Sequence, residues 1–228
     1  MRRVLALVEG FTERTVVEQT FAPYLGAKAV SLHAKVVGKP GHKGGIRSFE
    51  SVAREILALL KQEPASYVTT FFDFYGLPSD WPGRKAAKGS KAQAAAQVVE
   101  AAMRHELEAK VGGSASLTRF IPYVQMFEME ALLFSDPMVM AAAFERPELG
   151  PKFAQIVYER GGCEDINDTP ATAPSKRIES LFSSYRKGSG VRAHAPIIVR
   201  RIGMDRLRQA CPHFHVWIQT LERIGEAV

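Results

Sequence analysis

No run of the sequence stays apolar for the ~20 residues that a membrane-spanning helix requires. The opening MRRVLALVEG is too short and too soon charged for a secretory signal. These two absences predict a soluble, cytoplasmic chain with no membrane partner. Cysteine is scarce: Cys163 and Cys211 have no second pair to complete a zinc or disulfide framework, so free thiols are expected. An internal repeat and a long low-complexity tract are also missing, which argues against solenoids and disordered arrays. No G-x-x-x-x-G-K-[ST] loop occurs either, so a nucleoside-triphosphate pocket of that type is not indicated.

What is present fits one sizeable core. The chain has 228 residues, 46% of them hydrophobic, enough for a single domain with a substantial appendage. Thirty Lys and Arg against 24 Asp and Glu leave a net charge of +6, an excess that favours an anionic partner. Much of it gathers in GHKGGIR (41–47), GRKAAKGSK (83–91), SKR (175–177) and VRRIGMDRLR (199–208).

Periodicity predicts an alternation of strands and helices. VLALV suits a strand buried on both faces, ending at Glu9, and a helix follows with Thr12 as its cap and Val17, Phe21, Tyr24 and Leu25 on one face. VSLHAKVVG (30–38) reads as a second strand and FESVAREILALLKQ (49–62) as an amphipathic helix. YVTTFFDF (67–74) reads as a third strand ending at Asp73. The Ala-rich segment 90–112 is a strong helix former with Ser90 as its cap, and TRFIPYVQMFE (118–128) is a fourth strand, at or near an edge because Pro122 cannot donate to a ladder. The fold class expected is therefore α/β, with a mostly parallel central sheet flanked by helices. Residues 1–135 would form this core. Residues 136–228, where strand signals fade, would form a helical C-terminal extension packed on it as one compact unit.

In such a sheet the loops leaving the carboxyl ends of the strands share one side, where ligands bind. Glu9 and Asp73 should converge there. If 126–130 remains extended, Glu128 and Glu130 point to one face; once helix begins they diverge, and Glu128 is then expected nearer the pair. A single acid at a strand end mostly solvates a loop or caps a helix. Several on one edge repel one another unless a cation sits among them. Oxygen ligands without His or Cys select Mg²⁺ or Mn²⁺, an ion suited to phosphoryl chemistry.

LVEGFTER with TFFDFYG resembles the Toprim fold of topoisomerases, primases and overcoming-lysogenization-defect nucleases, whose pattern is a Glu after the first strand and Asp-x-Asp after a later one. More closely, VEGFTE, DFYGLPSDWPG, PYVQMFEMEALLFSDP, APSKRI and CPHFHVW together resemble a Toprim-like bacterial family, domain-of-unknown-function family 4276, across nearly the whole chain. The resemblance implies a Mg²⁺-dependent phosphodiesterase or nuclease acting on nucleic acid, in a phage-defence setting with a partner ATPase. Glu9 would be general base or metal ligand and Asp73 a metal ligand. This sequence departs from the Toprim pattern at Tyr75, which stands where the second Asp belongs. Asp80, or Glu128 and Glu130, would have to compensate. Otherwise the chain is a catalytically silent module that binds nucleic acid or the ATPase.

The cations invite a complementary reading. TAPSKRIESLFSSYRKG (172–188) presents Ile178, Leu181, Phe182 and Tyr185 on one helical face, so Lys176 and Arg177 fall in its first turn, where the helix dipole opposes them by up to ~1 kcal/mol each. A phosphate at that N-terminus would offset the opposition, although both side chains could equally splay into water. Lys43, Arg47, Arg84, Lys85 and Lys88, in two Gly-containing loops, either track a nucleic-acid backbone or keep those loops soluble. In CPHFHVW, Cys211, His213 and His215 lack a fourth ligand, and Phe214, Val216 and Trp217 favour a packed helix over zinc.

Overall fold

The computed structural model describes residues 1–38, 45–46, 48–112, 117–166, 169, 171–186 and 194–226. At its centre lies a parallel sheet. β1 (Arg2–Val8) pairs with β2 (Val30–Val36) on one side and β3 (Tyr67–Asp73) on the other. The short strands β4 (Phe120–Ile121) and β5 (Val124–Gln125) both pair with β3, giving the order β2-β1-β3-β4 with β5 beside β3. Along β1, Val4, Ala6 and Val8 enter one apolar cluster, and Leu5 and Leu7 enter the other. An uninterrupted apolar run is what a strand with helices on both faces requires.

The strand expected over 118–128 is broken into β4 and β5. Pro122 separates the two and has no N–H for the ladder. Threonine hydroxyls of β3 substitute for ladder bonds: Thr70 Oγ1 receives the Tyr123 N–H at 2.9 Å and donates to the Tyr123 carbonyl at 2.8 Å, while Thr69 Oγ1 donates to the Ile121 carbonyl at 2.6 Å. After Gln125 the chain leaves the sheet, and Glu128 stands, still extended, ahead of the 3₁₀ segment Met129–Ser135.

Behind β1 the chain turns directly into α1 (Phe11–Val16), a π-helical stretch (Val17–Phe21) and α2 (Ala22–Gly26). Thr12 is not the cap. The helix starts at Phe11, with Gly10 in the cap position and no side-chain bond. α3 (Phe49–Gln62) matches its expected bounds, because Ser48 Oγ accepts the Ser51 N–H at 3.3 Å and Val52, Ala53, Ile56, Leu59 and Leu60 bury one face. α4 (Ala92–Val111) ends at Gly112, whose φ of 71° closes it in the left-handed conformation. Its other end corrects the sequence reading: Ser90 does not cap, and the Ala92 N–H is met at 3.0 Å by the carboxylate of Asp165, from a distant turn.

α3 and α4 cover one face of the sheet. The other face is covered by the helical C-terminal region: α5 (Pro137–Ala143), α6 (Gly150–Arg160), α7 (Pro174–Leu181), α8 (Ala195–Ile202), α9 (Met204–Ala210) and α10 (Pro212–Glu226). α10 anchors this layer. Trp217 stacks on Tyr123 with ring centroids 4.3 Å apart and donates Nε1–H to Thr69 at 2.9 Å. His213 also stacks on Tyr123, at 5.0 Å, and bonds Glu100 at 2.9 Å; burial opposes its charge, but Glu100 and Glu164 carry its pKa above the ordinary value. The buried Glu164 receives the His213 and Phe214 N–H groups at 2.9 and 3.0 Å, capping α10 from outside. Among the described residues no helix is long and apolar enough to cross a membrane.

Candidate functional site

The C-terminal edge of the sheet gathers acids. Glu9 follows the last residue of β1, and its Oε1 accepts the backbone N–H of Asp73, the last residue of β3, at 2.8 Å. The two loops are thus joined by one of the acids. Gly76 makes room for this: a Cβ there would stand 2.8 Å from Glu9 Oε2. Asp73 Oδ1 in turn accepts the Met129 N–H at 2.8 Å, which ties the edge to the 3₁₀ segment. The Asp73 carboxyl is pushed well above the usual carboxylate range, first by burial and then by the charges of Glu9, Glu13, Glu130 and Glu128.

Glu128 and Glu130, both buried, form the far wall. Glu128 Oε2 accepts the Ser175 N–H at 2.8 Å, at the start of α7, and Glu130 Oε1 accepts from the Tyr185 hydroxyl at 3.3 Å. Both act on the Asp73 carboxyl through their charge, and the donor at the start of α7 engages Glu128. Glu13 belongs to the cluster and was not singled out from sequence. Its signal was an acid in the first turn of a helix that begins at the same sheet edge.

The other candidates are placed as follows. Asp80 is exposed in the turn beyond Gly76. Tyr75, 39% exposed, donates its N–H to the Phe127 carbonyl at 2.9 Å. The guanidinium of Arg84 lies 3.7 Å over the Phe74 ring, and Lys85 and Lys88 are exposed. Lys176 is paired with Glu179 at 2.6 Å, and Arg177 donates to the Thr172 carbonyl at 3.2 Å. The anion at the start of their helix is the protein's own Glu128. Lys43 and Arg47 lie outside the described residues.

Among the described residues no three His, Cys, Asp or Glu side chains form a group arranged to hold a metal ion, so Glu9, Asp73, Glu128, Glu130 and Asp80 are not a preassembled cage. The backbone N–H groups received by Glu9, Asp73 and Glu128 orient those three carboxylates individually. In CPHFHVW, Cys211 faces Cys163, His213 faces Tyr123 and Glu100, and His215 receives a bond from Arg208 at 3.3 Å. Three residues with three different neighbours do not make a zinc site.

The fold and this edge define a parallel α/β protein with a cluster of carboxylates at the carboxyl ends of its strands. The chain belongs to the family described as Domain of unknown function (DUF4276), whose pattern covers residues 8–222. No curated protein and no solved structure matches it.

Proposed function

We propose that the chain is a Mg²⁺- or Mn²⁺-dependent phosphodiesterase of Toprim type acting on nucleic acid. The observation that carries the reading is the joining of two acids at the strand ends, where Glu9 Oε1 accepts the Asp73 N–H at 2.8 Å and Asp73 Oδ1 accepts the Met129 N–H at 2.8 Å; the charges of Glu9, Glu13, Glu130 and Glu128 join burial in raising the Asp73 carboxyl. The donors are all carboxylate oxygens, which fits a hard divalent ion. The want of a three-ligand cage fits Mg²⁺ too, since that ion keeps several waters and is usually held by one or two carboxylates plus substrate phosphate. Glu9 and Asp73 would hold it. Bound there, the ion would neutralise a phosphate and lower the pKa of a water.

The residues around the acids support a nucleic-acid substrate. Phe11, 66% exposed, comes two residues after Glu9, and Tyr75, 39% exposed, two residues after Asp73, so the segments that carry both acids also carry exposed aromatic rings on which bases could stack. Lys176 and Arg177 follow Ser175, whose N–H holds Glu128, in the first turn of α7. With Arg84, Lys85 and Lys88 they would contact phosphates. The resemblance of LVEGFTER and TFFDFYG to Toprim proteins extends this reading to a cytoplasmic phage-defence role with a partner ATPase.

The test is calorimetric titration with Mn²⁺ beside an assay on a labelled oligonucleotide. The wild type should bind the ion and cut the oligonucleotide only in its presence; Glu9→Gln should do neither. A chain that binds no divalent ion and cuts nothing overturns the proposal. Gly76→Ala gives a finer check. The new methyl group displaces the Glu9 carboxylate, a flexible group, so the melting temperature should hold within ~2 °C while Mn²⁺ affinity falls about tenfold. Unchanged affinity would mean that Glu9 is not a ligand.

A second reading has its own support. Tyr75 in place of an acid favours a silent module that binds nucleic acid or the ATPase without cutting. Retained oligonucleotide binding with no Mn²⁺-dependent turnover would select it.

A further inference from the structure

Cys163 and Cys211 are 48 residues apart in sequence and meet in the fold. Cys163 opens the 3₁₀ turn Cys163–Asp165 beyond α6, Cys211 is the residue between α9 and α10, and their sulfurs are 3.2 Å apart. Both are buried and neither is in a disulfide. The contact belongs to a chain of weak bonds: Ser135 Oγ lies 3.2 Å from Cys211 Sγ, and the Cys163 thiol donates to the Ala210 carbonyl at 3.0 Å.

We propose that these residues are an oxidisable pair that closes to an intramolecular disulfide under peroxide, a modification site joining the turn after α6 to the α9–α10 junction. Neither the metal nor the nucleic-acid reading is needed for it. The sulfurs must approach from 3.2 Å to about 2.05 Å, a movement that small rotations of two side chains supply. Access favours Cys163 as the first to react. Cys163 is itself buried but follows Gly161 and Gly162, an exposed and a half-buried glycine of a surface turn, so a local opening of that turn would bring its sulfur to peroxide. The electrostatics agree. The pKa of Cys163 is lowered, foremost by its hydrogen bond with Cys211, and that of Cys211 is raised, foremost by the same bond.

In the first step the Cys163 thiolate attacks one oxygen of hydrogen peroxide. The O–O bond breaks, hydroxide leaves and takes up a proton as water, and Cys163 becomes a sulfenic acid. In the second, the Cys211 sulfur attacks the Cys163 sulfur; the S–S bond forms, the S–O bond breaks, and the departing hydroxide leaves as water with the Cys211 proton. Two thiols and one peroxide give one disulfide and two waters, with two electrons passing from sulfur to oxygen. The bridge closes a long loop and so restricts the unfolded chain, which should raise the melting temperature by about 5 °C or more.

The test treats the reduced full-length protein with a small excess of hydrogen peroxide, then denatures it, alkylates it with N-ethylmaleimide and weighs it. The expected product takes up no alkyl group, is about 2 Da lighter than the dithiol, yields a linked peptide pair containing Cys163 and Cys211, and reverts with dithiothreitol. Cys163→Ser, or Cys163→Ala should the serine variant fold poorly, should give no intramolecular link. Two alkylatable thiols surviving the peroxide, a sulfinic acid as the end product, or a link between two chains would each overturn the proposal. The wild-type masses alone are decisive, so the result does not depend on any variant folding.

Discussion

Asp73→Asn is expected to melt higher than the wild type at pH 8, by about 3 °C or more, and to bind Mn²⁺ tenfold to a hundredfold more weakly. The two effects share one cause. The Asp73 carboxyl is raised above its unfolded value by burial, then by Glu9, Glu13, Glu130 and Glu128. A raised acid keeps its proton in the folded state over a pH range where the unfolded chain has released it. The folded state then binds more protons, and stability falls as pH rises from the usual carboxylate range through the raised pKa. Asparagine is neutral throughout and still offers Oδ1 to the Met129 N–H. The two proteins should therefore melt alike near pH 4 and diverge on the way to pH 8. Melting curves in chelator across that range, followed by titration with Mn²⁺, make the measurement. If the variant is the less stable at pH 8, or the difference does not change with pH, the acids do not act on Asp73 as described.

Trp217→Ala should lower the melting temperature by about 10 °C, from a loss of 3–5 kcal/mol typical of a buried Trp or Phe cut to Ala. Trp217 lies against Tyr123 at 4.3 Å, Phe71 at 5.6 Å, Phe214 at 5.8 Å and Phe21 at 5.9 Å between ring centroids. Those rings come from the sheet, from its edge connection, from α10 and from the π-helical stretch after α1. One side chain therefore joins the helical layer to the sheet, and its removal leaves a cavity where four segments meet. Trp217→Phe keeps much of the packing and loses the bond to Thr69, whose hydroxyl still donates to the Ile121 carbonyl. It should cost only about 3 °C. A drop below that for Trp217→Ala would show that the layer is docked elsewhere.

The elements readable from sequence were those whose causes are local. α3 carries its own cap at Ser48 and its own apolar stripe, so its bounds could be read directly. β1 and β3 carry the β-branched and apolar runs of strands covered on both sides. Reading failed where a distant group decides. The start of α4 is set by Asp165, and the fourth strand breaks at Pro122 and is spliced by hydroxyls from β3. α5 and α8 were not singled out, since PMVMAAA and APIIVRRI are short and each begins at or beside a proline. At the acid edge, strand ends sufficed to place Glu9 beside Asp73. The orientation of Glu128 was not legible, because it depends on an N–H donor 47 residues away.

That last bond carries a consequence for the order in which the molecule comes together. A chain emerging from the ribosome carries β1, β3 and the 3₁₀ segment before Ser175 exists, so Glu9 and Asp73 can be joined while Glu128 still lacks the Ser175 N–H that orients it. The helical region must dock before that N–H arrives, and it docks through long-range contacts, which are slow to close. The acid edge is therefore complete only after the helical region has docked, because Glu128 and Glu130 both take hydrogen-bond donors from it.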